Sequence, residues 1–216
     1  MFPNAYNGVK KIYTAELLSL IGTICLLIAA ILVLVGIAAS TVSDGTAVAG
    51  VVGGGFLGIA ASVLMFISFI MNLVGLSNAA KDETAFKNAL IVSVVGIVAS
   101  VAMGAIPSGS LVADLCETVT QICQLLVTLL VCNGIINLAQ RMGEPAMAEK
   151  GNTARKMLMA MWIVAIVVDI VSTLIDRGGT PSTISSILSI VALVVSIVSY
   201  IFYLRLLSSA RTMLAK

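Results

Sequence analysis

Charged residues punctuate this chain at long intervals, and the intervals between them are apolar. Uncharged runs cover 17–43, 45–80, 88–113, 118–140 and 178–204, and another at 157–175 is interrupted once, by Asp169. Each reaches or approaches the ~20 residues that an α-helix needs to cross a ~30 Å hydrocarbon layer. The pattern predicts helices over 15–40, 47–77, 86–106, 110–139, 156–175 and 182–209. The expected fold is therefore all-α, a polytopic membrane protein with six transmembrane helices forming one domain over 1–216.

Turn formers separate the runs. Thr41–Thr46, Pro107–Gly109 and Arg177–Pro181 read as short connections. The alternate links read as longer, above all Gln140–Arg155, with Gly143, Pro145, Gly151 and Asn152. Residues 3–16, carrying Tyr6, Lys10, Lys11 and Tyr13, are expected along a membrane surface before the first crossing. A basic pair ahead of an apolar run imitates a signal peptide, but 17–38 is longer than such a core and reads as the first helix.

The basic residues set the threading. Of the twelve Lys and Arg, all but Arg177 fall in alternate gaps: Lys10 and Lys11; Lys81 and Lys87; Arg141, Lys150, Arg155 and Lys156; Arg205, Arg211 and Lys216. Basic loops stay in the cytoplasm, which puts both termini inside.

Composition then narrows the function. The chain is 60% hydrophobic and 10% charged, against about 25% charged for soluble domains. With a net charge of +2 spread over four segments, the expected partner is a lipid bilayer with anionic headgroups, and no nucleic acid. There are no histidines, which removes the commonest general base, metal ligand and pH switch together. Cys25, Cys116, Cys123 and Cys132 form no CxxC pair and read as soft packing residues. Gly53-Gly54-Gly55 has no Lys-Ser/Thr behind it, and Ser110 has no base within sequence reach. No catalytic residue, metal or cofactor is expected, so the chain reads as no enzyme. With no Asn-x-Ser/Thr sequon, the setting that fits is a bacterial cytoplasmic membrane.

A repeat runs through the layout. Thr14-Ala15, Thr84-Ala85 and Thr153-Ala154 each precede an odd-numbered helix, which suggests three helical hairpins over 1–80, 81–145 and 146–216. Such repeats share one orientation and relate by an axis along the membrane normal. The plainer alternative is that inner helix ends simply collect small and basic residues. The Pro-x-acid-x-x-base signature of mitochondrial carriers follows none of the odd helices. The Ala-x-x-x-Ala motif expected of vitamin-uptake binding subunits is missing from the first helix. No family is assigned.

Two constellations stand out. Gly50, Gly54, Gly58 and Ser62 put a small residue at every fourth position of the second helix, hence on one face. Such a face suits a tight helix–helix seam, and alternatively a hinge or a pore-lining backbone. On the fourth helix, Asp114, Glu117, Gln121, Gln124 and Thr128 alternate at spacings of three and four, a polar stripe about 80° wide. Asp169 on the fifth helix lies at a similar depth. Polar groups facing hydrocarbon are costly, so the six residues form a candidate polar recess, or else hydrogen-bonded glue between helices.

Asn72, Asn133 and Asn137 are expected to bond between helices near the inner ends, and Tyr13, Phe86, Trp162, Tyr200 and Tyr203 to form an interfacial aromatic belt. Two functions follow. One is a non-enzymatic membrane protein acting through helix packing, as a homo-oligomer or with a membrane partner subunit. The other is a transporter or channel component using the acid-lined recess.

Overall fold

A computed structural model describes residues 2–39, 44–105, 111–176 and 183–215. Among them there are six helices and no strand: α1 (Pro3–Ala39), α2 (Asp44–Ala79), α3 (Thr84–Ala105), α4 (Leu111–Arg141), α5 (Pro145–Asp176) and α6 (Thr183–Leu214). Four segments of them are long and apolar enough to cross a membrane: Pro3–Val33, Val52–Ala79, Thr84–Ala102 and Thr118–Arg141. The chain is a helical membrane protein.

Two helices begin earlier than the hydrophobic pattern indicates. α1 starts at Pro3, so the expected surface segment is simply the first turns of one helix. α5 starts at Pro145, and the expected long link over 140–155 shrinks to the turn Met142–Glu144. The turn is built by Gly143, whose φ of +69° only glycine adopts freely. Glu144 N–H bonds the Ala139 carbonyl at 2.9 Å and Gly143 N–H the Gln140 carbonyl at 3.2 Å, closing α4 with a glycine C-cap. Pro145 then opens α5 at a position where its missing N–H costs nothing.

The chain divides into two compact units, one of Lys10–Gly75 and the other of Met1–Val9 with Leu76–Lys216. The first is the hairpin of α1 and α2. Its seam repeats every seven residues, not every four. Ala15, Gly22, Ala29 and Gly36 are buried on α1, as are Gly54, Ala61, Ser68 and Gly75 on α2. The helices run antiparallel, and three pairs meet. Ser68 Oγ donates to the Ala15 carbonyl at 2.6 Å. A Cβ on Gly22 would stand 3.4 Å from the Ala61 carbonyl, and one on Gly54 would stand 2.8 Å from the Ala29 carbonyl. Seven-residue spacing keeps one face toward a partner when helices wind left-handedly. In lipid, where burying apolar area gives no net drive, such backbone proximity is what stabilises a hairpin. At the end of the seam Asn72 Nδ2 donates to Glu16 Oε1 at 3.1 Å.

In the second unit α4 is central, packing against α3, α5 and α6. In the crossing segment Thr118–Arg141, 44% of the most apolar window is buried, against 17% in α3, so this helix is the core of its unit. Against α3, the Phe86 ring covers Gly134, where a Cβ would fall 2.6 Å from the ring, and Gly96 leaves room for Cys123. Against α5, Gly151 accepts the Ile136 side chain. α5 and α6 meet where Ser199 approaches the Met161 sulfur. Phe86 and Tyr203, placed in an interfacial belt by the sequence pattern, are instead buried at 0% and 6% exposure. The Phe86 ring fills the gap that Gly134 leaves.

Candidate functional site

Polar side chains converge in the second unit where the α2–α3 turn meets α4 and the start of α1. The turn Ala80–Glu83 joins α2 to α3 and supplies two adjacent acids with different tasks. Asp82 Oδ2 accepts from the Ala5 backbone N–H at 2.7 Å, and its Oδ1 accepts from Asn4 Nδ2 at 3.1 Å. Ala5 lies in the first turn of α1, where N–H groups have no helical partner. A carboxylate there also opposes the positive end of the helix dipole. Asp82 therefore caps α1 from a point far along the chain.

Glu83 faces inward, at 4% exposure. Its Oε1 accepts from Asn137 Nδ2 at 2.9 Å, and its Oε2 lies 3.2 Å from an Arg141 guanidinium nitrogen. That second contact is one of charge, because Oε2 has no aligned hydrogen bond. The same guanidinium nitrogen donates to the Asp82 carbonyl at 3.3 Å. Four residues before Asn137, Asn133 Oδ1 accepts from Arg155 Nη1 of α5 at 2.5 Å. Asn133, Asn137 and Arg141 thus share one face of α4 at four-residue spacing and tie it to the turn and to α5. The arrangement is a clamp, in which Asp82 and Glu83 hold the turn to α1 and α4.

The three asparagines singled out from the sequence each bond between elements as expected. The two acids of the clamp were not singled out. Asp82 and Glu83 sit between Lys81 and Lys87 and read as loop charges. The usable signal was Asn137 and Arg141 one helical turn apart, a donor pair that calls for an acceptor.

The candidate recess is described in part. Asp114 and Glu117 lie on α4 and Asp169 on α5, and their side chains fall outside the described residues. Gln121 and Gln124 are exposed. Thr128 directs its hydroxyl to the Gln124 carbonyl at 3.0 Å, inside its own helix. Off this stripe, Thr120 and Ser100 approach to 3.4 Å between α4 and α3.

The four-spaced ladder divides. Gly54 meets α1, whereas a Cβ on Gly58 would meet nothing within 4 Å, and Ser62 is exposed with its hydroxyl on the Gly58 carbonyl at 2.9 Å. Gly50 lies on α2, with its surroundings outside the described residues. Gly55, Gly58, Ser62 and Phe66, with Leu26, line a shallow groove on the hairpin. Among the described residues, no three His, Cys, Asp or Glu come together as a metal site.

No family of known proteins, no curated protein and no solved structure matches this chain.

Proposed function

We propose that this protein is a non-enzymatic integral membrane protein that works through helix packing, with a second copy of itself or with a membrane partner subunit. It crosses the bilayer six times with both termini in the cytoplasm, as three helical hairpins in a bacterial cytoplasmic membrane. The alternating Lys/Arg distribution supports the threading. The observation that carries the function is the open half of the α2 ladder. Gly54 is used up inside the hairpin, while a Cβ on Gly55 or Gly58 would meet nothing within 4 Å and Ser62 is exposed beside them. Small residues facing outward on a membrane helix let another backbone approach closely.

The test is Gly58→Leu, scored by the mass of the protein in mild detergent and by cross-linking in native membranes. Because position 58 has free space in the hairpin, the variant should fold but lose its partner. A wild-type chain that is monomeric and partnerless in both assays would end this reading.

A second reading is favoured by a separate observation, the exposure of Gln121 and Gln124 on a membrane-crossing helix. It makes the chain a transporter or channel component for a cation or small solute, with Asp114, Glu117 and Asp169 completing the recess. Replacing Glu117 and Asp169 together by their amides should then abolish cation-dependent flux in liposomes. Unchanged flux with assembly intact would count against it.

A further inference from the structure

In its outer half, α4 is exposed along one arc whose two ends differ in character, with exposed Thr118 between them. Val112, Val119, Ile122 and Leu126 form one end. At 100° per residue they cluster roughly 145° around the helix from Gln121. Gln121 and Gln124 form the other, lying roughly opposite the apolar cluster on the same wheel. A helix that meets lipid on one side turns its apolar side to it, since unpartnered polar groups in hydrocarbon are costly. Val112, Val119, Ile122 and Leu126 therefore mark the lipid side of α4. The amides point the other way.

What lies below the amides on that face shows where they point. Cys132, Ile135 and Ala139 continue the same side of the helix toward the inner end, within about 40° of Gln121, and all three are 0% exposed. One face of α4 is thus dry core in its inner half and open, amide-bearing surface in its outer half. The neighbours that cover Cys132, Ile135 and Ala139 belong to the protein, so the surface above them continues the side of α4 that packs against the protein.

We propose that this outer half is a solvated recess: Gln121 and Gln124 line it, Cys132, Ile135 and Ala139 form its dry floor, and it admits small hydrogen-bonding solutes without negative charge. The inference rests on the transport reading and on the cytoplasmic placement of the termini. Each amide offers both donors and an acceptor, as water and small polar solutes require. The uncharged run 118–140 supplies no basic group to hold an anion. Thr128 adds nothing to the lining chemistry, because its hydroxyl is turned back on the Gln124 carbonyl.

The test introduces single cysteines at Gln121 and Gln124, and at the lipid-side positions Val119 and Leu126 for comparison. The full-length protein is probed in intact cells with membrane-impermeant thiosulfonates of either charge, and background labelling of the native chain is subtracted. These reagents need a hydrated, ionised thiol, so Gln121→Cys and Gln124→Cys should react at least about tenfold faster than the lipid-side cysteines. The cationic probe should be faster than the anionic one. Detergent elution identical to that of the native chain identifies the folded variants, and Gln124→Ser with flux as readout covers the case in which a cysteine does not fold. Rates equal to those of the lipid-side cysteines would overturn the recess. So would oxidative cross-linking of Gln121→Cys to the same position of a second copy, which would make the amides a dry seam and leave the assembly reading standing. Fast labelling without flux would keep the recess and remove transport.

Discussion

Ser68 donates a hydroxyl hydrogen bond across the hairpin to the main-chain carbonyl of Ala15, at 2.6 Å and buried. The bond forms only because Ala15 has a methyl where a larger side chain would hold the helices apart. Ser68→Ala should destabilise the hairpin by ~0.6–1.7 kcal/mol, the range of interhelical bonds inside membranes. Ser68→Leu should cost more, by wedging the seam open. Unfolding in mixed micelles, titrated with sodium dodecyl sulfate, would rank the two. Equal stability of Ser68→Leu and the native chain would mean that this seam does not form.

Adjacent glycines of α2 should respond in opposite ways. A Cβ at Gly54 would stand 2.5 Å from Val33 Cγ2 and 2.8 Å from the Ala29 carbonyl, and the second is backbone that cannot swing aside. Gly54→Ala should therefore destabilise by about 1–3 kcal/mol, the usual cost of overpacking. Gly53→Ala meets nothing within 4 Å and should be neutral or stabilising by up to ~1 kcal/mol, since alanine is the better helix former. The same micelle titration on both variants reads the difference, and a reversed order would place the seam on another face.

Why the seven-residue seam is harder to see than the four-residue ladder is a matter of geometry. Gly50, Gly54, Gly58 and Ser62 and the set Gly54, Ala61, Ser68 and Gly75 coexist in one glycine-rich helix. Four-residue spacing suits a right-handed crossing and seven-residue spacing a left-handed one. A single helix cannot say which crossing its partner permits. The partner could have: Ala15, Gly22, Ala29 and Gly36 are spaced by seven. The crossing helices themselves were legible because charge-free length alone decides them. Their starts were not, because the turns after Pro3 and Pro145 carry charges, such as Lys10, Lys11, Glu149 and Lys150, that end the uncharged runs.

Glu83 and Arg141 form an unequal pair, one carboxylate at 2% and one guanidinium at 55% side-chain exposure. Solvent screens the arginine, so the pair itself contributes little. Stranding the buried acid is another matter. Arg141→Met leaves Glu83 held by the Asn137 amide, and should cost up to ~3 kcal/mol, the lower end for an unpaired buried charge. Glu83→Gln with Arg141→Met removes the charge as well and should recover at least ~1 kcal/mol of that loss. A double-mutant cycle by thermal unfolding measures the coupling. Strictly additive losses would show that the two groups do not interact.

Asp82 separates two contributions to helix capping that usually come together. It accepts the Ala5 N–H at 2.7 Å and the Asn4 amide at 3.1 Å, and it places negative charge at the positive end of α1. Asp82→Asn keeps an acceptor oxygen and loses the charge, so it should cost about 0.3–1 kcal/mol. Asp82→Ala loses both and should cost about 0.5–2 kcal/mol, as deleting a cap does. Because the cap comes from the α2–α3 turn, the loss should appear locally, as faster hydrogen exchange over residues 4–9 with exchange in the α4 core unchanged. Exchange that rises equally in α4 would mean that Asp82 supports the whole unit. Unchanged exchange over residues 4–9 in Asp82→Ala would show that α1 is capped by other groups.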